Sequence, residues 1–291
     1  MNLSGHTKPF AVLGHPIGHT LSPVMHNASI ESLGFDGIYL AMDVHPDQVM
    51  EVLPAMQKLG FGGVNLTVPH KEVAFRGLEN LDESALLFGA ANTIEFTTDG
   101  GMIGHNTDGY GFIKALEEAF SKSVEGDSVF VLGCGGAGRA IALQAAVKGA
   151  KTLVLADIDP ERVRRLNDEI IGLTPNVEIV EALCDCEKAA LCRACDLVVQ
   201  ASPVGMREGD PSLLPPEAFR EGQRAFDLIY MYPETAFLTT AREAGAEIAN
   251  GLGMLLHQGA RAFEIWTGIA PDVPAMQQAL ETAVYGDVVS L

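Results

Sequence analysis

The stretch VNLTVPHKE, Val64 to Glu72, ends a β-branched apolar run on a proline and follows it with a histidine and a lysine. Lys71 is one of only four Lys or Arg residues in the first 108 positions, with Lys8, Lys58 and Arg76. It falls just past a strand end, where a helix begins. The positive end of a helix disfavours added positive charge, and a lysine there is a usable general acid or base. A solvated lysine on a first helical turn is the plain alternative, and the neighbouring motifs weigh against it. GHNTDGYGF puts Asp108 at a turn before a helix, beside Asn106 and Thr107. Asn65 and Thr67 share one face of the strand leading to Lys71, at period two. Asn92 lies in GAANTI, and Thr20 and Ser22 in GHTLSP. Hydroxyls, amides, one carboxylate and one lysine suit a polyhydroxylated small molecule. Each also has a structural reading: Ser22 before Pro23 fits a helix N-cap, Asp108 could be another, and Asn106 fits a turn.

A second constellation is GCGGAG, Gly133 to Gly138, a match to G-x-G-x-x-G. It follows a strand, opens an Ala-rich helix and precedes a second strand ending in Asp157, the context a dinucleotide site requires. Gly133 permits the tight turn, Gly135 a close approach of backbone to pyrophosphate, and Gly138 close helix–strand packing. The free N–H groups of the helix start would face the anion. A carboxylate at Asp157 would accept hydrogen bonds from a ribose 2′-hydroxyl and repel a 2′-phosphate, so NAD is expected over NADP. A solvated strand end is the alternative for Asp157. Arg162, Arg164 and Arg165 lie further on, along the next helix.

These residues need a frame. The 291 residues allow one large domain or two ordinary ones, and the 47% hydrophobic content supports substantial cores. Strands and helices alternate: FAVLG, GIYLAMDV and GGVNLTV read as strands, SPVMHNASIESLG, PDQVMEVLPAMQKLG and HKEVAFRGL as helices, TIEFTTDGGMIGHN as a hairpin around Asp99-Gly100, and DGYGFIKALEEAF as a helix. From Ser128 the pattern sharpens through SVFVLG, TLVLAD, VEIV, DLVVQAS, AFDLI and AEIAN. The expected fold is α/β: an N-terminal open α/β substrate domain plus a Rossmann-type doubly wound parallel sheet, with C-terminal helices packing back on the first domain. The expected boundaries are 1–108 with 253–291 for the substrate domain and 109–252 for the dinucleotide domain.

The formal net charge of −19 disfavours nucleic acid and anionic membrane as partners, while a small anion can still bind through local hydrogen bonds. Neither a signal peptide nor a membrane-spanning run is read, so a cytoplasmic protein is expected. Of five cysteines, Cys184, Cys186, Cys192 and Cys195 cluster. Zinc is conceivable there, but the tight spacing and the helix–strand reading favour reduced thiols. His15 and His19 have ligand-like spacing, but Pro16 and Gly18 break any helix between them, so no metal site is expected.

The segments GHPIGHTLSPVMHN, GVNLTVPHKE, GAANTI, GHNTDGYGF, VLGCGGAGR, QASPVGM and GLGMLLHQGARAFEIWTG, in this order, resemble shikimate dehydrogenases and their quinate/shikimate relatives over nearly the whole chain. The resemblance implies reversible oxidation of one ring hydroxyl of shikimate by a nicotinamide, in a cleft between two domains. It implies Lys71 as the acid/base and Asp108 as its partner. Asn65, Asn92, Thr67 and Gln258 would hold ring hydroxyls, and Thr20, Ser22 and Tyr230 the carboxylate. The implied cofactor contacts are Gly133, Gly135, Gly136, Ala137, Gly138, Arg139, Asp157, Ser202, Gly253 and Met254. A small carboxylated polyol is the implied substrate, with a monomer or homodimer as the assembly. The chain departs from the pattern at Thr20, where a serine is usual, at Gln200-Ala201-Ser202-Pro203, and at Pro233. Ala156-Asp157-Ile158 replaces the Asn-Arg-Thr of NADP-using members and resembles NAD-using quinate/shikimate enzymes. A quinate dehydrogenase is therefore the alternative activity. A non-catalytic NAD-binding regulator has no need of both Lys71 and Asp108, and a dehydrogenase of another polar ring or a folate has no need of the hydroxyl-rich loop.

Overall fold

A computed structural model describes residues 3–286 of the chain. It separates into two compact units: the chain up to Gly111 together with the chain from Leu255, and Phe112–Met254. Residues 1–2 and 287–291, the ends of the expected substrate domain, lie outside the described residues.

The first unit is built on β1 (Lys8–Gly14), β2 (Gly37–Asp43), β3 (Gly63–Leu66), β4 (Asn80–Leu81), β5 (Thr93–Phe96) and β6 (Met102–His105). They form one sheet in the order β2-β1-β3-β5-β6-β4. β1 runs parallel to β2 and β3, whereas β5 is antiparallel to β3 and β6. The β5–β6 hairpin turns through Gly100 at φ +89°, a conformation that favours glycine. Period-two alternation sorts β1 between two layers. Ala11 and Leu13 join Val64, Leu66 and the Leu53 and Met56 of α2 (Val49–Lys58). Phe10 and Val12 face Ile30 of α1 (Ser22–Ser32) and Phe263 of α10 (Leu252–Thr267). Trp266 of α10 stacks on Phe10 at 5.4 Å between centroids and donates its indole N–H to the Ile94 carbonyl at 3.0 Å. α11 (Val273–Tyr285) packs on α1, so the C-terminal helices do return to the first unit.

The second unit carries β7 (Ser128–Leu132), β8 (Thr152–Ala156), β9 (Glu178–Glu181), β10 (Leu197–Gln200), β11 (Arg224–Asp227) and β12 (Glu247–Asn250). Every pairing is parallel, in the order β12-β11-β10-β7-β8-β9. The winding reverses between β7 and β10, and ligands of such sheets bind beyond the strand carboxyl ends at that reversal. The interior is anchored by a buried ion pair between Arg224 and Asp127, with Lys122 on the other carboxylate oxygen at 2.6 Å.

The sequence reading missed β4 and α4 (Glu83–Phe88). Both are too short to show a period. Their signals were an Asp82 cap, which accepts from the Ala85 N–H at 2.9 Å, and Gly89 at φ +59° past the helix end. The cysteine expectation needs correction. Cys184 and Cys186 are joined as a disulfide, their Cα atoms 5.3 Å apart and within the span such a bond requires. Cys134, Cys192 and Cys195 are free and buried. Among the described residues no group of three or more His, Cys, Asp or Glu could hold a metal, and no helix is long and apolar enough to cross a membrane.

Candidate active site

Lys71 lies on the first turn of α3 (His70–Gly77), directly after β3, as the strand-then-helix reading requires. Its carbonyl accepts from the Ala91 N–H at 3.0 Å, which ties the helix start to the loop before β5. Asp108 is the first residue of α5 (Asp108–Phe120), and its N–H donates to Asn106 Oδ1 at 3.0 Å. Lys71 Nζ donates to Asp108 Oδ2 at 2.6 Å, with the two side chains 31% and 18% exposed. That is a charge-assisted hydrogen bond in a half-shielded setting, stronger than a bond between neutral groups. Asn92 Nδ2 donates to the other carboxylate oxygen at 2.9 Å.

An amide and hydroxyl network continues from this pair. Asn92 Oδ1 accepts from the Thr107 N–H and from Thr93 Oγ1, both at 2.9 Å. Asn65, buried on central strand β3, donates from Nδ2 to Thr93 Oγ1 at 3.0 Å and to the Asn92 carbonyl at 3.2 Å. Its Oδ1 accepts from the Tyr39 hydroxyl at 2.6 Å. A polar residue inside a buried strand is stable only when so satisfied.

Thr20 and Ser22 form a second group. Thr20 Oγ1 donates to Ser22 Oγ and accepts from the Ser22 N–H, each at 3.3 Å. The N-cap reading of Ser22 does not hold: α1 is capped by Leu21 without a side-chain bond, and Ser22 is already helical. The helix starts one residue earlier than a Ser22 cap would place it, which leaves the Ser22 hydroxyl outside the capping scheme. Thr67 packs against the end of β1, where a Cβ at Gly14 would lie 2.5 Å from its methyl. Gln258 sits on α10 with its amide donating to the Leu255 carbonyl at 2.9 Å. The structure thus links Lys71, Asp108, Asn92 and Asn65 by hydrogen bonds and pairs Thr20 with Ser22. Among the described hydrogen bonds, the side chains of Thr67 and Gln258 do not join the Lys71 network.

Sequence reasoning missed the support behind Asp108. His105 Nδ1 meets Asp82 Oδ2 at 2.8 Å, and Nε2 meets Glu95 Oε2 at 3.0 Å. Burial is the largest influence on His105 and would lower its pKa, but the two carboxylates outweigh it and raise the value. Burial likewise pushes Asp82 up, and His105, Ser84 and the Ala85 N–H together bring it down to about 2. Ser84 Oγ donates to Asp82 and accepts from the Asn106 N–H at 2.8 Å, so the cluster holds the turn that presents Asp108. Of the two acids, only Glu95 shares the β5–β6 hairpin with His105, two residues along from its paired Thr93, and that was the available signal. Asp82 comes from the α4 cap, which no local pattern ties to His105.

In the second unit, the glycine turn opens α6 (Gly136–Val147). Gly133 has φ +101°, and a Cβ there would lie 2.8 Å from the Ser202 amide nitrogen, so the turn packs on the loop after β10. A Cβ at Gly138 would lie 1.8 Å from the Gly133 carbonyl oxygen. At Gly135 and Gly136, by contrast, an added Cβ would meet nothing within 4 Å, and Gly135 caps α6 without a side chain. Open space before exposed helix N–H groups fits a dinucleotide pyrophosphate. Ala137 lies on that first turn. Arg139 pairs with Glu169 of α7 (Pro160–Leu173) through both Nε and Nη2. Ser202 donates its N–H to Gln200 Oε1 at 3.0 Å. Burial raises the Tyr230 phenol, and Gly253 packs on Ala115, 3.2 Å from a built Cβ, one residue before Met254.

Asp157 also has partners within the protein. Its Oδ2 accepts from the Cys134 N–H at 2.6 Å and its Oδ1 from the Asp159 N–H at 2.8 Å. The carboxylate thereby ties the glycine turn to the end of β8.

Comparison with known proteins bears on the cofactor. Residues 12–94 match the family model of the shikimate dehydrogenase substrate binding domain, and residues 251–281 that of the shikimate 5′-dehydrogenase C-terminal domain. The chain is 39% identical over 290 residues to shikimate dehydrogenase (NADP(+)) of Methanothermobacter thermautotrophicus, covering 98% of this chain and 100% of that one. It is 42% identical over 275 residues to shikimate dehydrogenase (NADP(+)) of Moorella thermoacetica, covering 94% and 92%. A crystal structure of a shikimate dehydrogenase in complex with NADP+ superposes with a TM-score of 0.88 at 34% identity, covering 97% of this chain and 98% of that one. The expectation of NAD over NADP is overturned, since these relatives are named for NADP(+) and the superposed structure is a complex with NADP+. Matches of this extent leave one conclusion: the chain belongs to the shikimate dehydrogenase family of oxidoreductases.

Proposed function

We propose that this chain interconverts shikimate and 3-dehydroshikimate with NADP(H), using Lys71 as the proton-exchanging group. The observation that carries the reading is the 2.6 Å bond from Lys71 to Asp108, whose second oxygen Asn92 holds. A nicotinamide bound there would supply the hydride exchange with the carbinol carbon. The Lys71 amine takes the hydroxyl proton, and Asp108 keeps the resulting ammonium paired and in place. In the reverse direction the ammonium gives the proton back to the carbonyl oxygen. Asn65, Asn92, Thr67 and Gln258 hold the remaining ring hydroxyls. The Thr20 and Ser22 hydroxyls at the start of α1 receive the substrate carboxylate, helped by the helix N-terminus.

The cofactor is held at Gly133, Gly135, Gly136, Ala137 and Gly138, with Arg139, Asp157 and Ser202 shaping the turn and Gly253 and Met254 against the nicotinamide. Open space at Gly135 and Gly136 supports this assignment. Arg162, Arg164 and Arg165, on the first turns of α7, are the basic residues that follow β8 and offer charge to a 2′-phosphate.

Steady-state oxidation of shikimate and of quinate, each with NADP and with NAD, tests this. The expected result is the highest kcat/KM for shikimate with NADP. A higher value for quinate would reassign the substrate, and no turnover in any combination would refute the reading.

A further inference from the structure

Two motifs of the first unit do work that proton exchange does not explain: the His26-Asn27 pair of SPVMHN and the Gly259 that follows Gln258. Both converge on Tyr39. The Tyr39 ring is 1% exposed and lies on His26, with centroids 4.1 Å apart and planes 7° from parallel. Burial lowers His26 to about 3, so it stacks as a neutral ring. Gly259 leaves room for this stack, because a Cβ there would come 2.1 Å from Met25 Cε and 3.2 Å from His26 Nε2. Asn27 clamps the tyrosine backbone from both sides, accepting from its N–H at 2.8 Å and donating to its carbonyl at 2.9 Å. A residue held at ring and backbone has one polar atom left to place. That hydroxyl donates to Asn65 Oδ1 at 2.6 Å. Burial raises the phenol pKa far above its usual value, partly offset by the Ser22 hydroxyl, so the proton stays on Tyr39.

The consequence falls on Asn65. A carboxamide has two N–H donors and two acceptor lone pairs. Both donors are taken, by Thr93 Oγ1 and the Asn92 carbonyl, and one lone pair is taken by Tyr39. One acceptor position remains.

We propose that Tyr39 is a positioning residue that locks the Asn65 amide, so that Asn65 meets the substrate only as an acceptor. This deepens the reading above and rests on its placing Asn65 in the substrate pocket. An acceptor-only amide selects a group that keeps its proton. Asn65 therefore reads a ring hydroxyl that is not oxidised, because the ketone formed at the reacting carbon has no proton to donate. Without the Tyr39 hydroxyl, Oδ1 loses the donor that fixes it and the amide can tilt on its two Nδ2 bonds, so the remaining acceptor position is no longer held on the ring hydroxyl.

Tyr39→Phe tests this, since it keeps the ring on His26 and removes only the hydroxyl. The expected result is a rise of about tenfold in the KM for shikimate, with kcat changed by less than about threefold and the KM for NADP unchanged. Asn65→Ala should raise the same KM by about tenfold, and the double variant should match Asn65→Ala to within about twofold, because one residue acts through the other. An unchanged KM in Tyr39→Phe, or effects that multiply in the double variant, would overturn the proposal while leaving Asn65 in the pocket. An unchanged KM in Asn65→Ala would remove Asn65 from the substrate site and the proposal with it. Should Tyr39→Phe fail to fold by circular dichroism, Thr93→Val decides: freeing Asn65 Nδ2 should raise the shikimate KM, and no change would overturn the role of a locked amide.

Discussion

Lys71 and Asp108 stand 37 residues apart in the chain and meet in a 2.6 Å hydrogen bond between Nζ and Oδ2. The lysine comes from a helix start after a central strand, and the aspartate from a helix start after a hairpin. Asn92, donating at 2.9 Å, stops the carboxylate from rotating away. The pair is thus aimed by backbone elements and by an amide.

Lys71→Ala should lower kcat for shikimate oxidation by about 100-fold or more, the scale of a lost general acid or base. Asp108→Ala should cost about tenfold or more, and the double variant little beyond Lys71→Ala, because groups that act as a unit are not additive. Steady-state rates of the three variants check this, and unaltered turnover in Lys71→Ala would reject the proton role.

The His105 cluster makes stability depend on pH in two directions. The folded pKa of His105 is raised, so its contribution is complete below its unfolded value of about 6.5 and is lost as pH rises through the folded value. The folded pKa of Asp82 is lowered to about 2, so its contribution is present above the unfolded value and fades as pH falls toward about 2. His105→Gln should therefore lower the melting temperature most at pH 5 to 6 and flatten its alkaline decline. Melting curves of both proteins from about pH 5 to 9 would show it, and parallel pH profiles would contradict it.

Asp127→Ala should strip a buried guanidinium of its partner, as Arg224 is 5% exposed and Asp127 3%. Breaking one side of a buried ion pair costs about 3–5 kcal/mol. The Lys122 and Ser123 carbonyls, at 3.2 and 3.1 Å from Arg224, would remain as neutral acceptors and soften the loss. Urea unfolding of the variant measures it, and a change below about 1 kcal/mol would show that the site admits water or relaxes.

Asp157→Ala should weaken NADP and NAD alike, by about tenfold each, because the Cys134 N–H of the glycine turn and the Asp159 N–H after β8 lose their shared acceptor. Fluorescence titration with both cofactors separates this from a ribose contact, which would show as a loss confined to NAD.

Local patterns made much of the molecule legible. The G-x-G-x-x-G turn between a strand and an Ala-rich helix sits where the doubly wound sheet reverses, because Gly133 and Gly138 answer to steric demands within a few residues. The Asp99-Gly100 hairpin and the return of the C-terminal helices followed from turn chemistry and from apolar periodicity. Shorter elements escaped: β4 and α4 carry too few residues for either period to register. Ser22 before Pro23 fits a cap as its structural alternative, because Ser-Pro is a strong local signal, yet the helix starts one residue earlier.

The sequence by itself determined the two kinds of unit, the order of their strands and helices, and the residue types available for proton exchange and dinucleotide binding. These are written in dihedral preference and in periods of 2 and 3.6, which act between near neighbours. Tertiary structure alone decided which partners those residues keep. Asp157 spends its carboxylate on the turn beside it, His105 stands between two acids, and Tyr39 reaches Asn65 from another strand. Hydrogen-bond partners are chosen by distance and by which donors remain free, and strand pairing sets both across tens of residues.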